Sequence, residues 1–217
     1  MEKKLSILFE TGICAIIRSR SKNIPVEPLV SALYGGGIKV IEVTFNTAGA
    51  VSLISEIKKK FGEKIFTGAG TILDIESVKQ SIDAGAQFLV SPHIDLKLIE
   101  YSRKRNIPFI PGAFSPTEVL LAWQNNVELV KLFPANVVGP SYIKALKSGP
   151  FPHIEIMPTG GINLENGPDF IKAGASVLGI GGELINDKLI DDGKWEVIKN
   201  FASSFIKIIK QARGKNG

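Results

Sequence analysis

Residues 40–71 run VIEVTFNTAGAVSLISEIKKKFGEKIFTGAGT. Residues 40–45 and 65–71 are short, mostly apolar runs, the first carrying one carboxylate, Glu42, and the second ending in Gly68-Ala69-Gly70-Thr71. Between them lies an amphipathic stretch, Ala50–Phe61, closed by Gly62. Strand, helix and strand within about thirty residues make a βαβ unit, because a parallel partner strand needs a crossover of that length. The same rhythm extends both ways. Strands are expected at 13–18, 40–45, 65–71, 88–92, 108–111, 129–133, 154–157 and 177–180. Helices are expected at 25–34, 50–61, 75–84, 95–105, from Ser115 onward, at 140–147, at 167–173 and at 195–213. Ser115-Pro116-Thr117-Glu118 puts serine, proline and glutamate at the favoured cap, first-turn and third-turn positions. One additional helix, over 2–10, precedes the first strand. Eight strands, each followed by a helix, imply an α/β fold of the closed parallel (β/α)8 TIM-barrel type. A doubly wound sheet would carry a glycine-rich dinucleotide turn after its first strand, and here that turn is Arg18-Ser19-Arg20-Ser21.

The chain has 217 residues, 44% apolar and 22% charged, which suits one domain, 1–217, with a single sizeable core. Its net charge of +5 includes Lys207, Lys210, Arg213 and Lys215 near the C-terminal end. No basic stripe with interleaved aromatics is present, so nucleic acid is not an expected partner. Cys14 is the lone cysteine, and the start, Met1-Glu2-Lys3-Lys4, lacks the apolar stretch of a signal peptide. No run approaches a membrane span. A reducing, cytoplasmic setting with no membrane partner is the expectation.

The chemistry concentrates where such barrels place it, at the C-terminal ends of the strands. Lys131 lies in a run, Val127 to Pro134, that otherwise reads as a fully buried strand. An ammonium group there is costly unless it is paired or works as a neutral nucleophile, whose natural chemistry is imine formation with a carbonyl. Strand alternation puts Leu129, Lys131 and Phe133 on one face, and Val40, Glu42 and Thr44 on one face of the second strand. Lys131 and Glu42 would both point into the barrel. They are either an inert buried ion pair or an imine-forming amine beside the carboxylate that moves its protons. Gly160-Gly161 and Gly181-Gly182, at the ends of the last two strands, offer unobstructed backbone amides for an anion such as phosphate.

Glu42-Val43-Thr44, Gly68-Ala69-Gly70-Thr71, Ser91-Pro92, Lys131-Leu132-Phe133-Pro134 and Pro158-Thr159-Gly160-Gly161 together resemble the class I 2-keto-3-deoxy-6-phosphogluconate (KDPG)/4-hydroxy-2-oxoglutarate (KHG) aldolases. The likeness runs in order from about Ile13 to Glu183. It implies a cofactor-free, metal-free Schiff-base lyase, usually a homotrimer, acting on small-molecule 2-keto acids. The products would be pyruvate and an aldehyde: glyceraldehyde 3-phosphate, or glyoxylate from 4-hydroxy-2-oxoglutarate. By that resemblance Lys131 forms the imine and Glu42 is the general acid/base, working through a water. Thr71, Pro92 and Phe133 shape the pyruvyl pocket, and Thr159 lies near the aldehyde end. Gly160, Gly161, Gly181 and Gly182 would hold phosphate.

Two departures stand out. Where some members carry a carboxylate-binding arginine two residues after Glu-Val-Thr, this chain has Asn46, and Arg18 matches the arginine that others supply from the first strand. Where members often show Gly-x-Gly-Ser at the last strand, this chain has Gly179-Ile180-Gly181-Gly182 and then Glu183. That leaves an unphosphorylated 2-keto-3-deoxy acid as an alternative substrate. Two other readings keep the same architecture: a phosphate-binding barrel isomerase or synthase in which Lys131 only pairs electrostatically, and a non-catalytic ligand-binding barrel. His93, at a strand end within reach of the pocket, reads first as a surface-loop residue and His153 as part of a proline-rich turn, with no metal-ligand spacing around them, and Trp123 and Trp195 read as helix residues packed on the barrel.

Overall fold

The computed structural model describes residues 4–21 and 23–214. Lys215 and the first residues of the helix expected over 2–10 lie outside the described residues. Strands are β1 (Ile13–Ile17), β2 (Val40–Thr44), β3 (Phe66–Gly70), β4 (Phe88–Val90), β5 (Phe109–Ile110), β6 (Gly112–Ala113), β7 (Val130–Leu132), β8 (Ile156–Pro158) and β9 (Leu178–Ile180). Helix α1 is Ser6–Thr11. It is followed by α2 (Val26–Gly35), α3 (Ala50–Phe61), α4 (Ile75–Asp83), α5 (Leu96–Lys104) and α6 (Pro116–Gln124). The rest are α7 (Gly139–Ser148), α8 (Gly167–Lys172), α9 (Asp187–Asp191) and α10 (Trp195–Gly214).

Strands pair in parallel in the order β5-β4-β3-β2-β1-β9, and β6-β7-β8 form a second parallel sheet. A bridge between Thr159 and Gly179 joins the end of β8 to β9. This is an α/β fold whose parallel strands curl into a half-barrel. The strand expected over 108–111 divides at Pro111, which has no N–H to give to a ladder. Its carbonyl still accepts from the Lys131 N–H at 2.9 Å, so β5 pairs with β4 while β6 pairs with β7. Gly112 is there for space, since a methyl group would overlap the Pro92 backbone.

Alternation along the strands sorts the core into two clusters. Ile13, Ala15 and Ile17 of β1, with Ile41 and Val43 of β2, pack against buried helix residues such as Leu29, Ile54 and Ile198. The opposite parity, Cys14, Val40, Phe88, Val90, Leu129, Met157 and Val177, forms the concave cluster, into which Leu5 and Leu8 insert at the N-terminal end. Leu5 and Leu8 are fully buried, each worth about 1.5–3 kcal/mol of transfer free energy. Gly68 makes room for the Phe88 ring, which a Cβ would overlap. Polar residues therefore appear on the concave face only toward the C-terminal strand ends. Helix α6 starts with the capping box expected at Ser115 and Glu118. Among the described residues no helix is long and apolar enough to cross a membrane.

Candidate active site

At the C-terminal ends of the strands the concave face opens into a cavity of about 300 Å3. Lys131, on β7, and Glu42, on β2, lie in it with 6% and 0% of their surfaces exposed. Lys131 Nζ is 4.0 Å from Glu42 Oε1, an ionic distance too long for a hydrogen bond. Neither Glu42 oxygen has a hydrogen-bond partner among the described residues. Burial pushes the Glu42 carboxyl above its ordinary range, while the charges of Lys131 and Arg18 pull it back down in part. The carboxylate has its place because residue 70 is glycine. A Cβ there would overlap Oε1 and lie 2.5 Å from Cδ and 2.7 Å from Cγ.

The other expected residues line the same cavity. Phe133 sits beside the amine, its ring centroid 5.2 Å from Lys131 Nζ. Pro92 and Thr71 form another part of the wall. Thr71 holds φ of 57°, a left-handed conformation that is costly for a β-branched residue, about 1–3 kcal/mol. Thr159 is buried and packs against Gly179, where a Cβ would overlap its hydroxyl oxygen. Gly160 and Gly161 have φ of 98° and 68°, and a Cβ on Gly161 would come within 2.6 Å of Asn136 Cβ. Their loop is held by Asn136 N–H donating to the Gly160 carbonyl (3.1 Å) and Asn166 Nδ2 to that of Gly161 (2.8 Å). Gly181 and Gly182 complete the expected set on the β9 side.

Arg18 lies at the mouth, on a loop clamped from both sides. On the β2 side, the Ser19 N–H donates to Thr47 Oγ1 at 3.3 Å, and the Thr44 and Thr47 hydroxyls both donate to the Ile17 carbonyl. On the other side Asp187, at the start of α9, accepts from the Ser19 hydroxyl at 2.5 Å and the Arg20 N–H at 3.2 Å. The Ser21 hydroxyl donates to Asp191 at 2.7 Å. Asn186 caps α9 and gives its Nδ2 to the Gly182 carbonyl at 3.3 Å, so α9 ties both rims of the mouth together.

Sequence reasoning missed this bracket. Five helical residues are too few to show an apolar stripe, and the only signal was the capping pair Asn186-Asp187. It also missed Ile16, Ile162 and Gly179 as lining residues; Ile16 shares the inward parity of Cys14. His93 is exposed and does not line the cavity. Trp123 is a correction: it is 42% exposed and its ring meets His153 edge-on at 4.5 Å, rather than packing on the strands. Trp195 is half-buried against the outer core.

The profile of the KDPG and KHG aldolase family matches residues 5–201. The chain belongs to that family. Among KDPG and KHG aldolases it is 33% identical over 188 residues to the 2-dehydro-3-deoxy-phosphogluconate aldolase of Pseudomonas aeruginosa, covering 86% of this chain and 84% of the relative. It is 36% identical over 183 residues to the KHG/KDPG aldolase of Escherichia coli K12, covering 83% and 84%. Among solved structures, the KDPG aldolase of Legionella pneumophila, with pyruvate captured at low pH as a covalent carbinolamine, superposes with a TM-score of 0.84. That likeness is at 26% identity and covers 94% of this chain and 98% of the other. These KDPG and KHG aldolase relatives are carbon–carbon lyases.

Proposed function

We propose that this chain is a class I aldolase that cleaves a 2-keto-3-deoxy sugar acid to pyruvate and an aldehyde. The relatives' names point to 2-dehydro-3-deoxy-6-phosphogluconate, giving glyceraldehyde 3-phosphate, and to 4-hydroxy-2-oxoglutarate, giving glyoxylate. The observation that carries the reading is the buried amine 4.0 Å from a buried carboxylate that has no hydrogen-bond partner among the described residues.

In this account Arg18 binds the substrate carboxylate through its planar fork. Lys131 Nζ adds to the C2 carbonyl, and the carbinolamine loses water, with Glu42 moving the protons through a water. The resulting iminium is the electron sink. Glu42 takes the C4 hydroxyl proton by the same route, the C3–C4 bond breaks, and the aldehyde leaves. The bonding pair passes into the iminium as an enamine of pyruvate. Protonation at C3 and hydrolysis of the imine release pyruvate and restore the amine. Thr71, Pro92 and Phe133 shape the pyruvyl end and Thr159 the aldehyde end, while Gly160, Gly161, Gly181 and Gly182 present amides to the distal group. The step needs neither metal nor cofactor.

The same reading takes the two sheets as arcs of one closed (β/α)8 barrel, with β5 and β6 as a single interrupted strand, the bridge at Thr159 closing the ring and α1 its extra N-terminal helix. It takes 1–217 as one domain of a cytoplasmic homotrimer. The test is pyruvate release from both named acids. Turnover by the native chain, lost by at least about a thousandfold in Lys131→Met, supports the reading. No pyruvate from either acid, or turnover retained without the amine, refutes it. Sedimentation at a monomer mass would refute the trimer alone.

A further inference from the structure

Two charged side chains at the cavity mouth have no hydrogen-bond or ion-pair partner among the described residues. Arg18, after β1, and Glu183, after β9, both line the cavity and are both exposed. Neither makes a hydrogen bond or an ion pair with a described residue. The glycines on either side of the mouth are not equivalent. Gly160 and Gly161 are required by their left-handed backbone, and Gly161 also by the approach of Asn136. Gly182 has an ordinary φ and nothing within 4 Å of where a Cβ would stand. No steric reason keeps residue 182 bare. With no side chain there, Glu183 is the only residue of this turn among those lining the cavity that carries one, and it ends in a carboxylate.

That carboxylate sorts ligands by hydrogen-bond sense as well as by charge. A phosphate dianion presents acceptors alone, and so does an ionised glutamate, so the two repel and share no hydrogen bond. A hydroxyl end presents donors, which an unpaired carboxylate accepts well. Arg18, the one cation at the mouth among the described residues lining it, is committed to the substrate's own carboxylate in the aldolase reading, on which this inference rests. A distal phosphate would then have backbone amides on one side and Glu183 on the other.

We propose that Glu183 is a specificity-determining residue that favours hydroxyl donors over phosphate at the distal end of the substrate. The site then handles an unphosphorylated 2-keto-3-deoxy sugar acid on nearly equal terms with its 6-phosphate.

The experiment measures kcat/KM for 2-keto-3-deoxygluconate and for its 6-phosphate, with the native chain and with Glu183→Gln, and compares the ratio of phosphorylated to unphosphorylated. The expected native ratio is below about thirty. It rises at least about fivefold in Glu183→Gln, mainly through KM of the phosphorylated acid, the size of change expected when one charge facing a dianion across solvent is removed. A larger native ratio, or a rise of less than fivefold, overturns the proposal. Borohydride trapping of pyruvate on the native chain separates the two readings. Absence of a label refutes the aldolase chemistry itself, whereas a label with the wrong ratios refutes only the role of Glu183.

Discussion

Replacing Gly70 with alanine tests the site through a residue that makes no chemical contribution of its own. Gly70 pairs with Thr44 across β3 and β2, and its φ is not in the left-handed region, so alanine is conformationally allowed. The added Cβ overlaps Glu42 Oε1 and stands 2.5 Å from Cδ, whereas carbon atoms pack at about 3.5–4.0 Å. The carboxyl must therefore move by about an ångström or more. Glu42 is fully buried, and the space open to it is the cavity, toward Lys131. The 4.0 Å gap then closes into a direct ion pair, which ties up the amine and displaces the proton carrier. General acid–base catalysis is worth about a hundred- to ten-thousandfold, roughly 3–5.5 kcal/mol of barrier. Overpacking costs about 1–3 kcal/mol of stability, offset in part by about 0.4–1 kcal/mol from the stiffer unfolded chain. Pyruvate release and thermal unfolding, measured side by side, should show kcat/KM down at least about a hundredfold in a folded protein. A folded Gly70→Ala variant within threefold of native activity would refute the reasoning that Glu42 works from this position.

Three further outcomes follow from the same geometry. Because burial raises the Glu42 carboxyl, the acid limb of kcat/KM should lie above about pH 4.3, the ordinary glutamate value, and vanish in Glu42→Gln; a limb at or below pH 4 contradicts this. A raised carboxyl lends stability below its unfolded value that is lost as pH climbs through the folded value, and Lys131→Met removes the main charge holding it down. As pH rises above about 4.3, the ordinary glutamate value, that variant should lose stability more steeply than the native chain in chemical denaturation, and a parallel pH course would count against it. Asp187→Ala unfastens the Arg18 loop and should raise KM for 2-keto acids about tenfold with kcat within about threefold; an unchanged KM would show that the clamp does not position Arg18.

The alternation of strand and helix was legible because each buried strand here is a short apolar run and each helix is stopped by glycine or opened by a capping residue. The pairing of Lys131 with Glu42 was legible for the same reason: period-two parity fixes the face, and two charges on an inward face have few places to go. What escaped depended on contacts between distant segments. Pro111 was read inside a strand, yet its missing N–H splits that strand between two sheets. Asp187, Ser19 and Thr47 are unremarkable in sequence and matter only because α9 returns to the β1 loop. The necessity of Gly70 and Gly112 is likewise a matter of what stands opposite, Glu42 and Pro92. Trp123 was assigned to the barrel on residue type alone, and an exposed helix face with His153 beside it was an equally good home.

Everything in this mechanism depends on a covalent imine between the Lys131 amine and a 2-keto acid. Reduction of the native chain with borohydride in the presence of pyruvate, followed by peptide mass spectrometry, tests it directly. One 1-carboxyethyl group per chain is expected, on Lys131, absent without pyruvate and absent in Lys131→Met. An unmodified Lys131 under conditions in which the chain turns over substrate would contradict it.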